Sequence, residues 1–162
     1  MSDGPNQTAF HDPENVMKIG FPLVPDDHHL QHVGKTAQGN GYWITWQVAN
    51  ENGETRDFLA AYVFDKSGAL ISSEVVDHGL RSVQTKFSPK ETIQKLKRKI
   101  DAKETAEILV KPFSVSFYGH RFGLIIRENE EGSPAGDETF IDAMPGFTLL
   151  FYGPWSQCNY DT

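Results

Sequence analysis

Side chains alternate strictly between residues 42 and 48. Tyr42, Ile44, Trp46 and Val48 fall on one face of an extended chain, and Trp43, Thr45 and Gln47 on the other. No helix accommodates that period. Asn52-Gly53 follows, a pair that tolerates the positive φ of a tight hairpin turn. The next run, DFLAAYVF at 57–64, is apolar on both faces, as a strand covered from two sides is. Asp65-Lys66-Ser67-Gly68 ends it, with Gly68 suited to the left-handed position of a longer hairpin loop, and a return strand runs from about residue 69 to 76. This predicts an antiparallel three-stranded meander. The rest of the chain has to cover its middle strand.

Ser88-Pro89-Lys90-Glu91 offers a serine N-cap, a proline at the first helical position and a glutamate at N3. Ile93, Leu96 and Ile100 then keep helical spacing, and Glu91 stands four residues before Lys95. The pattern predicts one main amphipathic helix over about 89–102. Residues 103–112 fit a continuation of it, another short helix or a strand. Alternation resumes at Phe113, Val115 and Phe117 and again at Phe122, Leu124 and Ile126, with Gly119-His120 at the turn. Residues 139–143 and 147–152 flank Met144-Pro145-Gly146-Phe147, whose Pro-Gly pair suits a type II turn. The expected fold class is α+β: a mostly antiparallel sheet of about six to seven strands, with one main helix between two strand clusters. A small barrel or a two-sheet sandwich with one helix is the alternative. Residues 1–40 lack periodicity and are expected as an extended, partly disordered arm ahead of a single domain over 41–162.

Charge is unevenly placed. The chain carries −7 overall, yet residues 81–103 hold eight basic residues against two acidic ones. Such asymmetry points to a charged partner. If Ile93, Leu96 and Ile100 face the sheet, Lys95, Arg98 and Lys99 point away from it and offer a basic face to an acidic protein partner. An exposed helix face needs charges in any case, and lysine is a good helix former. The face lacks the Asn, Gln and Arg set that reads base edges, which argues against sequence-specific nucleic-acid binding. The single cysteine, Cys158, excludes an intrachain disulfide. No apolar run approaches the ~20 residues of a membrane helix, and the first twenty residues resemble no signal peptide. A cytoplasmic location is the expectation.

The densest cluster of potential ligands is PDDHHLQHVG at 25–34. His28 and His32 stand at i and i+4, and Asp26 or Asp27 adds an oxygen, the two-histidine, one-carboxylate set of an open metal centre. A solvated polar loop is the plainer reading, because the flanking prolines and sparse apolar content leave nothing to hold the ligands rigid. His78 and His120 have no nucleophile beside them in sequence, and Cys158 has no cationic neighbour to make it a thiolate. Phosphate-binding glycine patterns are absent. No cofactor can be named from these residues, and because no catalytic constellation is readable the leading expectation is a non-enzymatic binding or interaction module using the basic helix. The alternative is a metal-dependent hydrolase built on His28 and His32.

Overall fold

In the computed structural model, which describes residues 13–84, 88–128, 139–146, 149–152, 155 and 158–161, the meander is longer than its alternating core. Strands β3 (Gly41–Glu51) and β4 (Glu54–Phe64) pair without a slip from Glu51↔Glu54 to Gly41↔Phe64. Their turn residues Asn52 and Gly53 sit at φ 54 and 84, the left-handed pair whose twist matches the flanking strands. β5 (Leu70–Leu80) adds on the far side of β4. Asp65 shapes the connecting loop by accepting the Ser67 and Ala69 amides at 2.9 and 3.0 Å, with Gly68 at φ 92.

The middle strand is covered from both sides. Phe58, Ala60, Tyr62 and Phe64 of β4 meet a second sheet through a core that includes Trp43, Phe122, Leu124, Ile141, Phe151 and Trp155. Leu59 and Ala61, with Tyr42 and Ile44 of β3, meet a helix through Leu96, with Ile93 and Ile100 beside it. The layers therefore run helix, sheet, sheet. The second sheet consists of β8 (Phe113–Phe117), β9 (His120–Glu128), β10 (Thr139–Met144), β11 (Leu150–Tyr152) and β12 (Tyr160–Asp161), neighbours in that order. Gln47 links the layers, donating to the carbonyls of Ala143 at 3.2 Å and Pro145 at 3.4 Å. The Met144–Pro145 peptide is cis and Gly146 has φ 93; Phe147, the last residue of the expected turn, lies outside the described residues. Residues 129–138, between β9 and β10, do too.

Among the described residues the architecture is α+β with antiparallel pairing and three sheets, none closed into a barrel. Two features differ from the single-helix, six-to-seven-strand expectation. Twelve strands and two helices occur among the described residues. The additional strands are mostly two to four residues long, too short to show a period. The second difference lies before residue 41, where an extended arm was expected. Residues 13–40 instead supply α1 (Pro13–Ile19), β1 (Phe21–Leu23) and β2 (His32–Thr36), and Val16, Phe21, Leu23, Leu30 and Val33 are fully buried. β2 lies between β3 and β6 (Ala102–Thr105), and β1 forms a ribbon with β7 (Ile108–Val110). The first sheet thus reads β5-β4-β3-β2-β6.

The main helix, α2 (Pro89–Ile100), stops two residues earlier than its spacing allows. Asp101 takes a left-handed conformation, φ 60 and ψ 48, and its N–H closes on the carbonyls of Arg98 and Lys97. β6 begins at once. No helix among the described residues is long and apolar enough to cross a membrane.

Candidate functional site

Even-numbered residues of β3 face α2, but the helix covers only the first part of that face. Ile44 is buried, Val48 half-buried and Trp46 48% exposed. Beyond the first turn of α2 the sheet is open, and a cleft of about 800 Å³ forms there. Its floor is Ile44, Trp46 and Val48; one wall is Pro89, Lys90, Ile93 and Gln94 of α2. The turn leading into β2 gives His28, His29, Gln31 and His32, and Arg81, just after β5, closes the remaining side.

Beneath Trp46 and Arg81 lies a fully buried carboxylate. Asp57 sits opposite Val48 in the β3–β4 register. It accepts the indole N–H of Trp46 at 2.8 Å, the Nε and Nη2 of Arg81 at 2.9 Å each, and the amide of Gln84 at 3.0 Å. Burial pushes its pKa up, but the hydrogen bonds from Arg81, Trp46 and Gln84 outweigh that and hold it below the usual carboxylate value. The guanidinium carbon of Arg81 lies 6.0 Å from the Trp46 ring centroid. One carboxylate therefore fixes both an aromatic and a cationic wall of the cleft.

His28 and His32 come together as lining of this cleft, which their spacing alone did not reveal. Asp26 is otherwise engaged: it accepts the backbone N–H of His28 at 2.8 Å and of Leu30 at 3.0 Å, and the hydroxyl of Tyr160. Of the two aspartates expected as alternatives for the oxygen ligand, Asp26 thus folds the turn and ties it to β12, while Asp27 is exposed. Among the described residues no group of three or more His, Cys, Asp or Glu side chains is placed to hold a metal ion. His28 is exposed. His32 is half-buried, and its Nδ1 is shut off from water and has no hydrogen-bond partner among the described residues. Burial, with the charge of Lys97 adding to it, holds the His32 imidazole below its ordinary pKa.

The chain matches no protein-family model, no curated protein and no solved structure. Function has to be read from the geometry. Lys95 and Arg98 are exposed on α2, as the helical period predicts. Lys99 differs, because it is ion-paired with Glu74 on β5. None of the three lines the cleft, although Lys90 of the same helix does. Asp57 and Arg81 escaped the sequence reading as site residues. The available signal was Asp57 itself, a lone carboxylate at the head of an apolar strand.

A second polar group sits at the mouth between the two sheets. Arg56 bridges Glu51 at 3.0 Å and Asp77 at 3.0 Å, and His120 Nε2 lies 2.6 Å from Glu51. Tyr118, at the tip of the β8–β9 hairpin, stacks on Phe58 and donates its hydroxyl to the Val75 carbonyl at 3.3 Å. These contacts fasten that hairpin to the first sheet. Cys158 accepts the Val24 N–H at 3.4 Å, and burial pushes its thiol pKa up, in keeping with an inert cysteine.

Proposed function

We propose that this chain is a non-enzymatic binding module whose site is the cleft between the first turn of α2, β3 and the histidine-rich turn. One observation carries the reading: a half-exposed tryptophan is fixed over an apolar floor in a cleft whose volume falls within the ~300–1,000 Å³ of small-molecule sites. Its polar groups suit holding more than reacting. One edge of Arg81 is occupied by Asp57, and among the described residues the cleft has no serine, cysteine or carboxylate wall beside its histidines. The basic helix enters through Lys90, while Lys95 and Arg98 remain for an acidic partner.

The test is nuclear magnetic resonance screening of the full chain with small aromatic fragments. Shift changes should gather on Ile44, Trp46 and Ile93 and vanish in Gln94→Trp, which fills the cleft from its exposed rim. Replacing Lys95 and Arg98 with glutamate should leave those shifts intact. Hits scattered over the surface, or loss of binding only in the glutamate variant, would overturn the cleft reading.

A metal-assisted hydrolase is the second reading, favoured by His28 and His32 lining one cleft. Zinc titration by calorimetry decides it. Micromolar binding that disappears in the His28→Ala, His32→Ala double variant would support it, and the same heat in both proteins would remove it.

A further inference from the structure

Arg81 is held in an unusual way for a side chain that is 55% exposed. Its Nε and Nη2 form a side-on fork to Asp57. Nη1 and the outer N–H of Nη2 make no hydrogen bond among the described residues, and they form the edge that a carboxylate or phosphate binds through two parallel bonds. Side chains of this length ordinarily lose conformational freedom on binding a ligand. Here Asp57 has already fixed both the guanidinium and, through its Nε1, the neighbouring Trp46.

The surrounding charge agrees. In a chain of −7, Arg81 and Lys90 line the cleft and no Asp or Glu among the described residues does, the one carboxylate nearby being Asp57, buried beneath the cleft and bonded to the inner edge of Arg81. Asp27 and Glu91, adjacent in sequence to lining residues, are exposed and form no part of its wall. Ile44, Val48, Ile93 and the Trp46 ring supply a flat apolar surface next to the free guanidinium edge.

We propose that the cleft takes a small molecule with a flat apolar body and one oxyanion, the oxyanion held by the outward edge of Arg81 and the body against Trp46. This rests on the cleft being the binding site.

Two fluorescent probes separate the two claims: anilinonaphthalene sulfonate, which carries an oxyanion, and phenylnaphthylamine, the same ring system without one. Both should bind the full chain and both should be lost in Gln94→Trp. The sulfonate should bind about tenfold or more tightly than the neutral probe, the scale of a charge-assisted hydrogen bond. Arg81→Gln should remove that advantage, so that the two probes bind with equal affinity. Because Arg81→Gln strands the Asp57 carboxylate, the double variant Asp57→Asn, Arg81→Gln is measured alongside it, with the same loss expected. Competition with naphthoate and with naphthyl phosphate tells a carboxylate from a phosphate preference, and displacement by either in an Arg81-dependent way supports the assignment. Equal affinities of the two probes, both abolished by Gln94→Trp and both insensitive to Arg81, would overturn the oxyanion assignment and keep the cleft. Probe binding indifferent to Gln94→Trp would overturn both.

Discussion

Asp57 has no contact with water, and its charge persists only because four donor groups on three side chains converge on it. The two members of its ion pair are unequal, since Arg81 is more than half exposed. Removing the arginine strands a buried charge, whereas removing the carboxylate returns an arginine to solvent. Arg81→Ala should therefore cost about 3 kcal/mol, the lower end for a broken buried pair because Trp46 and Gln84 still donate. Asp57→Asn should cost distinctly less. Urea melts of the two variants check this, and equal losses would contradict the asymmetry. His32 gives a second expectation at this scale. Burial disfavours its charged form, so the proton-driven shift of its ring signals should have a midpoint below the ordinary value of 6.5. A midpoint at or above that value would mean the ring is wetter than its position on β2 implies.

For α2, the start was legible in the sequence and its energetics were not. Ser88 occupies the N-cap position, yet its hydroxyl makes no capping hydrogen bond. Ser88→Ala should accordingly change stability by less than about 0.5 kcal/mol, as an ordinary surface substitution does. The far end is the sensitive one. Asp101 holds a left-handed conformation that glycine adopts without a steric cost, and the bonds it closes come from its backbone. Asp101→Gly should raise stability by roughly 0.5 kcal/mol, read as a higher melting temperature. The meander was readable because eleven-residue strands with a period of two and an Asn-Gly turn repeat one message at every position. β2 was not. His32-Val33-Gly34-Lys35-Thr36 has a single large apolar residue, and its place in the sheet comes from neighbours on both sides. The cleft was hidden for a similar reason. Its walls come from residues 28–32, 44–48, 81 and 89–94, which only the packing of α2 on β3 brings together.

Across the whole molecule, ionised groups tie distant segments together, and their titration sets how stability follows pH. Asp26, Glu51, Asp57 and Asp65 are all held below their ordinary pKa values by hydrogen bonds that outweigh burial. The unfolded chain takes up their protons first, so their contribution is present above about pH 4 and is lost as pH falls through the folded values. His32 and His78, lowered chiefly by burial, act in the same direction from about pH 6.5 downward. Asp142 acts the other way, because burial raises its pKa more than Arg127 lowers it, so its contribution is lost as pH rises through that value. Urea midpoints should thus fall in two stages between neutrality and pH 3, and a flat profile would contradict this balance. Packing sets a separate limit. A Cβ on Gly34 would lie 1.9 Å from the Glu104 carbonyl oxygen, so Gly34→Ala has to part β2 from β6. The expected loss is about 3 kcal/mol, with hydrogen-exchange protection falling first in residues 102–105.

The pairing of β2 with β6 and of β1 with β7 also governs how the chain is made. A ribosome releases residues 21–23 and 32–36 long before 102–105 and 108–110, their later neighbours. Until then β2 can join β3 but keeps one bare edge, and β1 has no strand to pair with. Loop closure over such separations slows folding, and an open edge in the meantime invites pairing between nascent chains. Fragments cut at residue 101 should therefore associate through the bare β2 edge, and the full chain, with β6 in place, should not. β6 seals that edge, but one apolar face of β4 stays bare until β8–β12 add the second sheet, so the young chain passes through two separate vulnerable periods.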